Sequence, residues 1–217
     1  MVWGFTVVLW AALPAQVPAQ EAAQDTGAAA IEAVEPETAL PRVSILVTVE
    51  TEAGRKTPLG TFVIELFATN APKHVDNFLK LVREEFYVGT TFHRIVPAFI
   101  IQGGDLLSKR NWQSSRVGTG ADGPDYTIEA EIDRKHLRGA VVAARKPDAV
   151  NPNRLSGPSQ FYICLADLPS LDLRYTVFGQ VVLGMDVVDK IARVKNTGPD
   201  QNRALQRVTM TEVKLLP

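Results

Sequence analysis

Three side chains that could act together on a bound molecule lie within one short apolar segment of the sequence. Arg94 offers a permanent positive charge, Phe99 an apolar surface and Gln102 an amide. Side chains two residues apart share one face of an extended strand, so Arg94 and Gln102 can point the same way. Phe99 has the opposite parity, and we therefore expect a bend or register shift around Pro97, a residue that central strands exclude. The segment predicts a shallow site that combines a donor, an amide and an apolar surface.

A second short segment repeats this alternation. Gln160 and Tyr162 are two residues apart and would share a strand face, while Phe161 and Ile163 would point into the core. A polar strand edge is the simpler interpretation of the first pair. Arg94 taken alone could likewise be a surface residue in an ion pair, but its apolar and aromatic neighbours favour a functional role.

Three ordered motifs resemble those of the cyclophilins, the peptidyl-prolyl cis/trans isomerases. Residues 92–105, FHRIVPAFIIQGGD, resemble the active-site strand of that family. Residues 157–164, GPSQFYIC, resemble its second signature, and residues 176–181, TVFGQV, its third. The resemblance runs from about Val43 to Leu215 in the family's order.

The resemblance implies a set of site residues and an activity. It assigns the catalytic positions to Arg94, Phe99, Gln102 and Tyr162. Peptide or proline contacts fall on His93, Ile100, Thr119, Ala144, Arg145, Gln160, Leu171 and Tyr175. The implied activity is rotation about X-Pro bonds in proline-containing polypeptides, which assists the folding of exported proteins. The implied alternative is a module that binds such segments as a chaperone without turnover.

The implied chemistry needs no cofactor. Rotation about a peptide bond has a barrier of ~18–20 kcal/mol, and an isomerase lowers it by binding the twisted amide more tightly than either planar form. A rigid, permanently charged guanidinium such as that of Arg94 suits this task. We therefore expect neither a nucleophile, nor a metal, nor a cofactor.

Four positions depart from the commonest family pattern. Ile100 replaces a methionine, Tyr162 a phenylalanine and Arg145 an asparagine. Ser170 stands where many members place the tryptophan that contacts cyclosporin, so we expect weak cyclosporin binding. Arg145, Tyr162 and Tyr175 together resemble the bacterial periplasmic branch.

The pattern of short strands predicts a mainly β fold. Strands are expected near 43–50, 61–67, 92–102, 139–144, 160–165, 176–183 and 208–215, and helices near 70–82 and 185–192. Asn70 would cap the first helix. By resemblance the fold is a closed eight-stranded antiparallel barrel capped by two α-helices. A filled eight-stranded barrel leaves no lumen, so the site should lie on its outer surface.

The glycine-rich residues 118–123, GTGADG, match a dinucleotide fingerprint literally. That fingerprint requires a strand before it and a helix after it, and Pro124 follows at once. A plain glycine loop bordering the peptide groove is favoured over a nucleotide-dependent enzyme. The longer polar piece Ser108–Arg116 before it is a candidate lid or specificity loop.

The N-terminus predicts export. Residues 2–13 are almost wholly apolar and small residues follow, which is typical of a signal peptide. We expect a signal peptide over 1–19, a disordered acidic linker over 20–41 and the isomerase domain over 42–217. The apolar run is too short for a stable membrane span. The mature protein would be periplasmic or secreted.

Charge and cysteine content exclude other classes. Residues 21–41 contain five acidic and no basic residues, and the remainder has only a mild basic excess, so no nucleic-acid partner is expected. The single cysteine, Cys164, lies in an apolar run and is predicted to be a buried thiol. The three histidines lack metal-ligand spacing. We expect a monomer.

Overall fold

A computed structural model describes residues 40–51, 53–120 and 122–217 of the 217-residue chain, together with Met1. Apart from Met1, the predicted signal peptide lies outside the described residues, as does nearly all of the predicted linker. Within the described ranges, every helix is too short or too polar to cross a bilayer.

Eight antiparallel strands form one sheet that nearly closes on itself. The sheet order is β3-β4-β6-β5-β7-β2-β1-β8. An antiparallel bridge from Thr91 to Thr209 joins the β3 and β8 edges, which confirms the predicted barrel. The strands are β1 Arg42–Glu50, β2 Lys56–Leu66, β3 Phe92–Val96, β4 Ile100–Gly103, β5 Ala140–Ala143, β6 Phe161–Cys164, β7 Val177–Leu183 and β8 Val208–Leu215.

Alternate side chains of each strand fill the barrel. On β6, Phe161 and Ile163 belong to the large interior core, as predicted, whereas Tyr162 and Cys164 belong to a second apolar cluster. Cys164 is fully buried there, which confirms the predicted buried thiol. Because the interior is packed with side chains, a ligand can bind only at the outer surface.

Three α-helices accompany the barrel in the described chain: α1 Pro72–Arg83, α2 Leu107–Asn111 and α3 Met185–Ala192. The apolar stripe predicted for α1 is buried, including Phe78 and Val82. The predicted cap at Asn70 is wrong, because Ala71 precedes the helix and forms no side-chain cap. Glu131 takes that role from a distant loop by accepting hydrogen bonds from the backbone N–H groups of Lys73 and His74, both at 3.0 Å. The short helix α2 was not expected.

The segment predicted as one strand over 92–102 is a hairpin. β3 ends at Val96, and β4 begins at Ile100. The Phe99 N–H donates to the Val96 carbonyl at 3.0 Å, and Ala98 has a φ of 56°. Pro97 fits the second position of such a turn. The bend expected around Pro97 is therefore a complete reversal, which places Arg94 opposite Gln102 on neighbouring strands.

Gly184, which precedes α3, has the backbone conformation and the surroundings that only glycine tolerates. Its φ is 76°, and an added Cβ would lie 2.7 Å from the Cα of Phe62. We predict that Gly184→Ala lowers the free energy of unfolding by about 3 kcal/mol or more, through left-handed strain together with the clash. Chemical denaturation measures the loss.

Gly54→Ala is the matched control for this prediction. Gly54 has a similar φ of 74°, but apart from its chain neighbours no described residue has an atom within 4 Å of the added Cβ. It should lose only ~1–2 kcal/mol from strain. Equal losses in the two variants would contradict a close approach at Gly184.

Candidate active site

A row of polar side chains crosses the outer face of three neighbouring strands. Arg94 on β3 donates from Nη1 to Oε1 of Gln102 on β4 at 3.4 Å. Gln102 in turn donates from Nε2 to Oε1 of Gln160, at the start of β6, at 3.0 Å. The predicted shared face of Arg94 and Gln102 is thus present, and the hairpin brings the two residues closer than a single strand could.

The buried carboxylate of Asp105 anchors this row. Asp105 is only 1% exposed, and its Oδ2 accepts from Nε2 of Gln160 at 3.0 Å. Its Oδ1 accepts from the backbone N–H of Leu107 at 2.9 Å. The sequence interpretation did not select Asp105. The available signal was an acidic residue directly after the apolar strand and two glycines.

The glycine loop is attached to the same carboxylate. The N–H groups of Gly118 and Gly120 both donate to Oδ2 of Asp105, at 2.9 and 3.1 Å. Both glycines have positive φ, 94° and 73°, which lets these two N–H groups converge on one acceptor. No helix follows the loop, as expected, and Thr119 lies exposed at its tip.

Hydrogen bonds and ion pairs hold Ser108–Arg116, the candidate lid or specificity loop, at several points. Ser108 is fully buried, and its Oγ accepts from the Thr91 N–H at 3.0 Å and donates to the Asp105 carbonyl at 2.6 Å. Arg110 and Arg116 both pair with Asp122, at 3.0 and 2.9 Å. The segment therefore forms a fixed wall beside the glycine loop.

An apolar patch lies next to the polar row. It belongs to the second cluster; within the patch Ile100 and Tyr162 are buried, and Phe99, Leu171 and Tyr175 are partly buried. Its surface members are the residues that the resemblance placed around a proline ring: Phe99, Ile100, Tyr162, Leu171 and Tyr175. The structure thus brings together the predicted donor and the predicted pocket.

Aromatic rings support the patch from below. The Tyr162 and Tyr175 rings meet edge to face with centroids 5.9 Å apart, and His136 stacks on Tyr162 at 6.4 Å. Nδ1 of His136 lies 2.9 Å from Oδ1 of Asp172. Burial lowers the pKa of His136, and Asp172 opposes that shift. The Tyr162 hydroxyl is buried without a hydrogen-bond partner among the described residues, and burial raises its pKa.

The Arg145 side chain is engaged in contacts within the protein, whereas its backbone groups remain available to a bound peptide. Its side chain is only 2% exposed, forms an ion pair of 2.5 Å with Asp148 and lies 4.4 Å from the Tyr175 ring centroid. It also donates from Nε to the Arg174 carbonyl at 2.9 Å. The Ala144 N–H and C=O already pair with Gln160 and Gly157. Of the two residues predicted to hold a peptide backbone, Arg145 therefore has the freer main chain.

His93 lies behind the polar row rather than on the apolar patch. It is 8% exposed, and burial lowers its pKa to about 4, with Arg94 and Arg203 also lowering the pKa and Asp105 opposing them. His93 is therefore neutral at physiological pH. Among the described residues, no group of three or more His, Cys, Asp or Glu side chains could hold a metal ion.

Comparison with known sequences gives the class of this fold and site. Residues 46–215 match the family described as cyclophilin type peptidyl-prolyl cis-trans isomerase/CLD. A peptidyl-prolyl cis-trans isomerase of Helicobacter pylori is 39% identical over 141 residues, which are 63% of this chain and 77% of that protein. A peptidyl-prolyl cis-trans isomerase-like protein of Gibberella zeae is 32% identical over 161 residues, 74% of this chain and 92% of its own. The chain belongs to the cyclophilin-type peptidyl-prolyl cis-trans isomerase family.

One further relative agrees with that assignment, and one solved structure shares the fold. A probable peptidyl-prolyl cis-trans isomerase of Brucella suis is 44% identical over 139 residues, 62% of this chain and 67% of that protein. A crystal structure of a Cryptosporidium parvum cyclophilin type isomerase superposes with a TM-score of 0.64 at 24% identity, covering 82% of this chain and 98% of that one. The structural match supports the fold.

The anchoring role of Asp105 predicts a loss of both stability and activity when its carboxylate is removed. Asp105→Ala leaves the N–H groups of Gly118 and Gly120 and the Gln160 amide without their acceptor. We expect the free energy of unfolding to fall by about 3 kcal/mol. We also expect kcat/KM on a proline peptide to fall at least tenfold, because the polar row loses its fixed end.

Asp105→Asn is the conservative control for this variant. Its amide oxygen can still accept from the glycine loop, so its losses should be clearly smaller than those of Asp105→Ala. Urea denaturation and peptide kinetics on the same preparations make the comparison. An Asp105→Ala variant of unchanged stability would contradict the anchoring role.

Burial of neutral His93 predicts acid sensitivity. Its pKa is about 4 in the folded protein and roughly 6.5 in the unfolded chain. The unfolded chain therefore binds the extra proton first as pH falls. The stabilisation is complete above about pH 6.5 and is lost progressively down to about pH 4, by roughly 3 kcal/mol.

His93→Gln removes this titration and leaves the other histidines in place. The difference in unfolding free energy between the two proteins should therefore change by roughly 2.4 kcal/mol between pH 7 and pH 4.5. Urea midpoints over that range measure it. A pH-independent difference would show that His93 is not buried as a neutral ring.

Proposed function

We propose that this chain accelerates cis/trans isomerisation of X-Pro bonds in polypeptides. The observation that carries the proposal is the position of the Arg94 guanidinium, which is hydrogen-bonded to Gln102, the residue opposite Tyr162 of the apolar patch. Within the described chain Arg94 forms no ion pair, and one hydrogen bond uses only one of its donors. The remaining donors are available to a bound peptide.

The chemistry asked of the site is modest. Isomerisation before proline takes roughly tens to hundreds of seconds without a catalyst, because rotation must break amide resonance. As the bond twists, electron density returns to the prolyl nitrogen and that atom becomes a better hydrogen-bond acceptor. A fixed positive donor beside it stabilises the twisted form over both planar forms. Arg94 supplies that donor, and its planar fork is already oriented by Gln102.

The apolar patch supplies the other requirement, which is to hold the proline while the preceding residue turns. Phe99 and Leu171 are partly buried, so they keep exposed apolar surface for a ring, and Ile100 and Tyr162 form the buried floor. The rings beneath the floor are packed against one another, which limits its movement. Gln160 and the Arg145 backbone lie where they could hold the flanking chain.

The alternative is a module that binds proline segments without turnover. Both functions would use the apolar patch. Only the enzyme needs a guanidinium kept free of ion pairs at the edge of that patch. The carboxylate that could have neutralised the site, Asp105, faces the glycine loop instead. The arrangement therefore favours catalysis.

We also propose that the clients are exported proteins and that the mature protein is periplasmic or secreted. This rests on the apolar run at 2–13 and the small residues after it. Protein isolated from its native cells that still begins at Met1 would contradict it. Weak cyclosporin binding remains our expectation, because Ser170 is an exposed small side chain at the patch edge. Binding as tight as in tryptophan-containing members would contradict that expectation.

The catalytic role of Arg94 is tested by replacement. Arg94→Ala should reduce kcat/KM for an Ala-Pro peptide about a hundredfold, equivalent to about 2.7 kcal/mol of transition-state stabilisation. Arg94→Lys should recover only part of the loss, since lysine lacks the planar fork. NMR exchange spectroscopy on the intact chain measures the rates.

Arg42→Ala is the matched control for Arg94. Arg42 is another outward-facing strand arginine, and it pairs with Glu65 at 2.6 Å on β1 and β2. Its replacement should leave the exchange rate unchanged. A folded wild-type protein that binds the peptide without accelerating exchange would establish the binding module instead.

A further inference from the structure

A second concave region adjoins the polar row on the side away from the apolar patch. It is a cavity of about 450 Å³ between the β3–β4 hairpin, the wall before the glycine loop and the segment preceding β8. Arg94 and Gln102 form part of its wall, so it is continuous with the proposed active site. Its lining residues are His93, Arg94, Gln102, Ser115, Val117, Gly118, Gln201 and Arg203.

Arg203 is held in place at this cavity by its backbone and by its side chain. Its backbone pairs with that of Arg94 in an antiparallel bridge. Its N–H donates to Oγ1 of Thr197 at 3.1 Å, and its Nη2 donates to the Ser114 carbonyl at 2.6 Å. The backbone and the guanidinium of Arg203 are thus both held in place. The other N–H donors of its guanidinium have no partner among the described residues.

The charge of this cavity is not balanced by its own lining. Arg94 and Arg203 face each other across the bridge, and like charges in that position destabilise a sheet. Neither forms an ion pair with a described residue, and no lining residue is acidic. The buried Asp105 is nearby, but its oxygens accept hydrogen bonds from the glycine loop, Leu107 and Gln160. Asp122 is taken by Arg110 and Arg116.

Two guanidiniums that form no ion pair with a described residue, in a recess open to the peptide site, suit a carboxylate. We propose that the cavity receives an acidic side chain that flanks the X-Pro bond, and that Arg203 is a specificity-determining residue for such substrates. This rests on the proposed isomerase function. In this proposal a glutamate pairs with Arg203 in the cavity, and Arg94, which also lines it, acts on the prolyl bond.

The test compares matched peptides that differ in one charge. Glu and Gln are placed in turn at each of the two positions before and after an Ala-Pro pair, and kcat/KM is measured by NMR exchange. With the wild-type chain, Glu should exceed Gln about threefold to fivefold at one of these positions, the upper part of the range expected for one partly exposed charge pair. Arg203→Gln should reduce that ratio to about one. Because the readout is a ratio, a general loss of rate cancels.

Arg116→Gln is the matched control. It removes the same charge from the same wall, but Arg116 pairs with Asp122 and does not line the cavity. The Glu preference should survive in this variant. If both variants lose it equally, the effect is the overall charge of the surface and the assignment to Arg203 is wrong.

A second variant covers the case in which Arg203→Gln does not fold. Gln201 is exposed on the cavity wall, and Gln201→Glu would place a carboxylate beside Arg203 and reduce the preference for acidic peptides. A Glu-to-Gln ratio near one at all four positions with the wild-type chain would overturn the proposal. That outcome is distinct from failure of the proposed function, in which no Gln peptide is isomerised either.

Discussion

One buried carboxylate determines where the reactive groups of this protein lie. Asp105 cannot be solvated at 1% exposure, so it must be satisfied by fixed donors. The donors are two glycine N–H groups, the Leu107 N–H and the Gln160 amide. Hydrogen bonds to an ionised acceptor are the stronger kind. Asp105 is hydrogen-bonded to Gln160, Gln160 to Gln102, and Gln102 to Arg94. These four residues form a series of hydrogen bonds from the interior to the surface.

The barrel provides the second constraint, because alternation fixes which side chains can reach a ligand. Phe161 and Ile163 fill the interior, so Gln160 and Tyr162 must face outward. The same rule turns Ile95 and Ile101 inward and leaves Arg94 and Gln102 outside. Catalytic function on a filled barrel therefore has to use the outer surface. The polar row and the apolar patch occupy that surface side by side, so one peptide can contact both.

The sequence predicts the site residues that are related within one short segment. It does not predict those that interact across long sequence separations. Arg94 with Gln102, and Gln160 with Tyr162, follow from a period of two within a short segment. At Pro97 the sequence predicts only a bend, whereas the chain reverses completely. A bend and a full turn have the same sequence pattern over so few residues. Asp105 accepts from residues 13, 15 and 55 positions away, and no local pattern contains those pairings. Arg203 joins Arg94 only through barrel closure. Glu131 likewise replaces the expected cap at Asn70 because a distant loop folds onto the helix.

The central claim is that Asp105 acts on the reaction through the row that ends at Arg94, and a double-mutant cycle on kcat/KM tests it most directly. The cycle uses wild type, Asp105→Ala, Arg94→Ala and the double variant on one Ala-Pro peptide. If Asp105 positions Arg94, its replacement costs far less once Arg94 is absent, with a coupling energy of at least ~1 kcal/mol. Losses that add within about 0.3–0.5 kcal/mol would mean that the two residues act independently, and the positioning role of the buried carboxylate would be wrong.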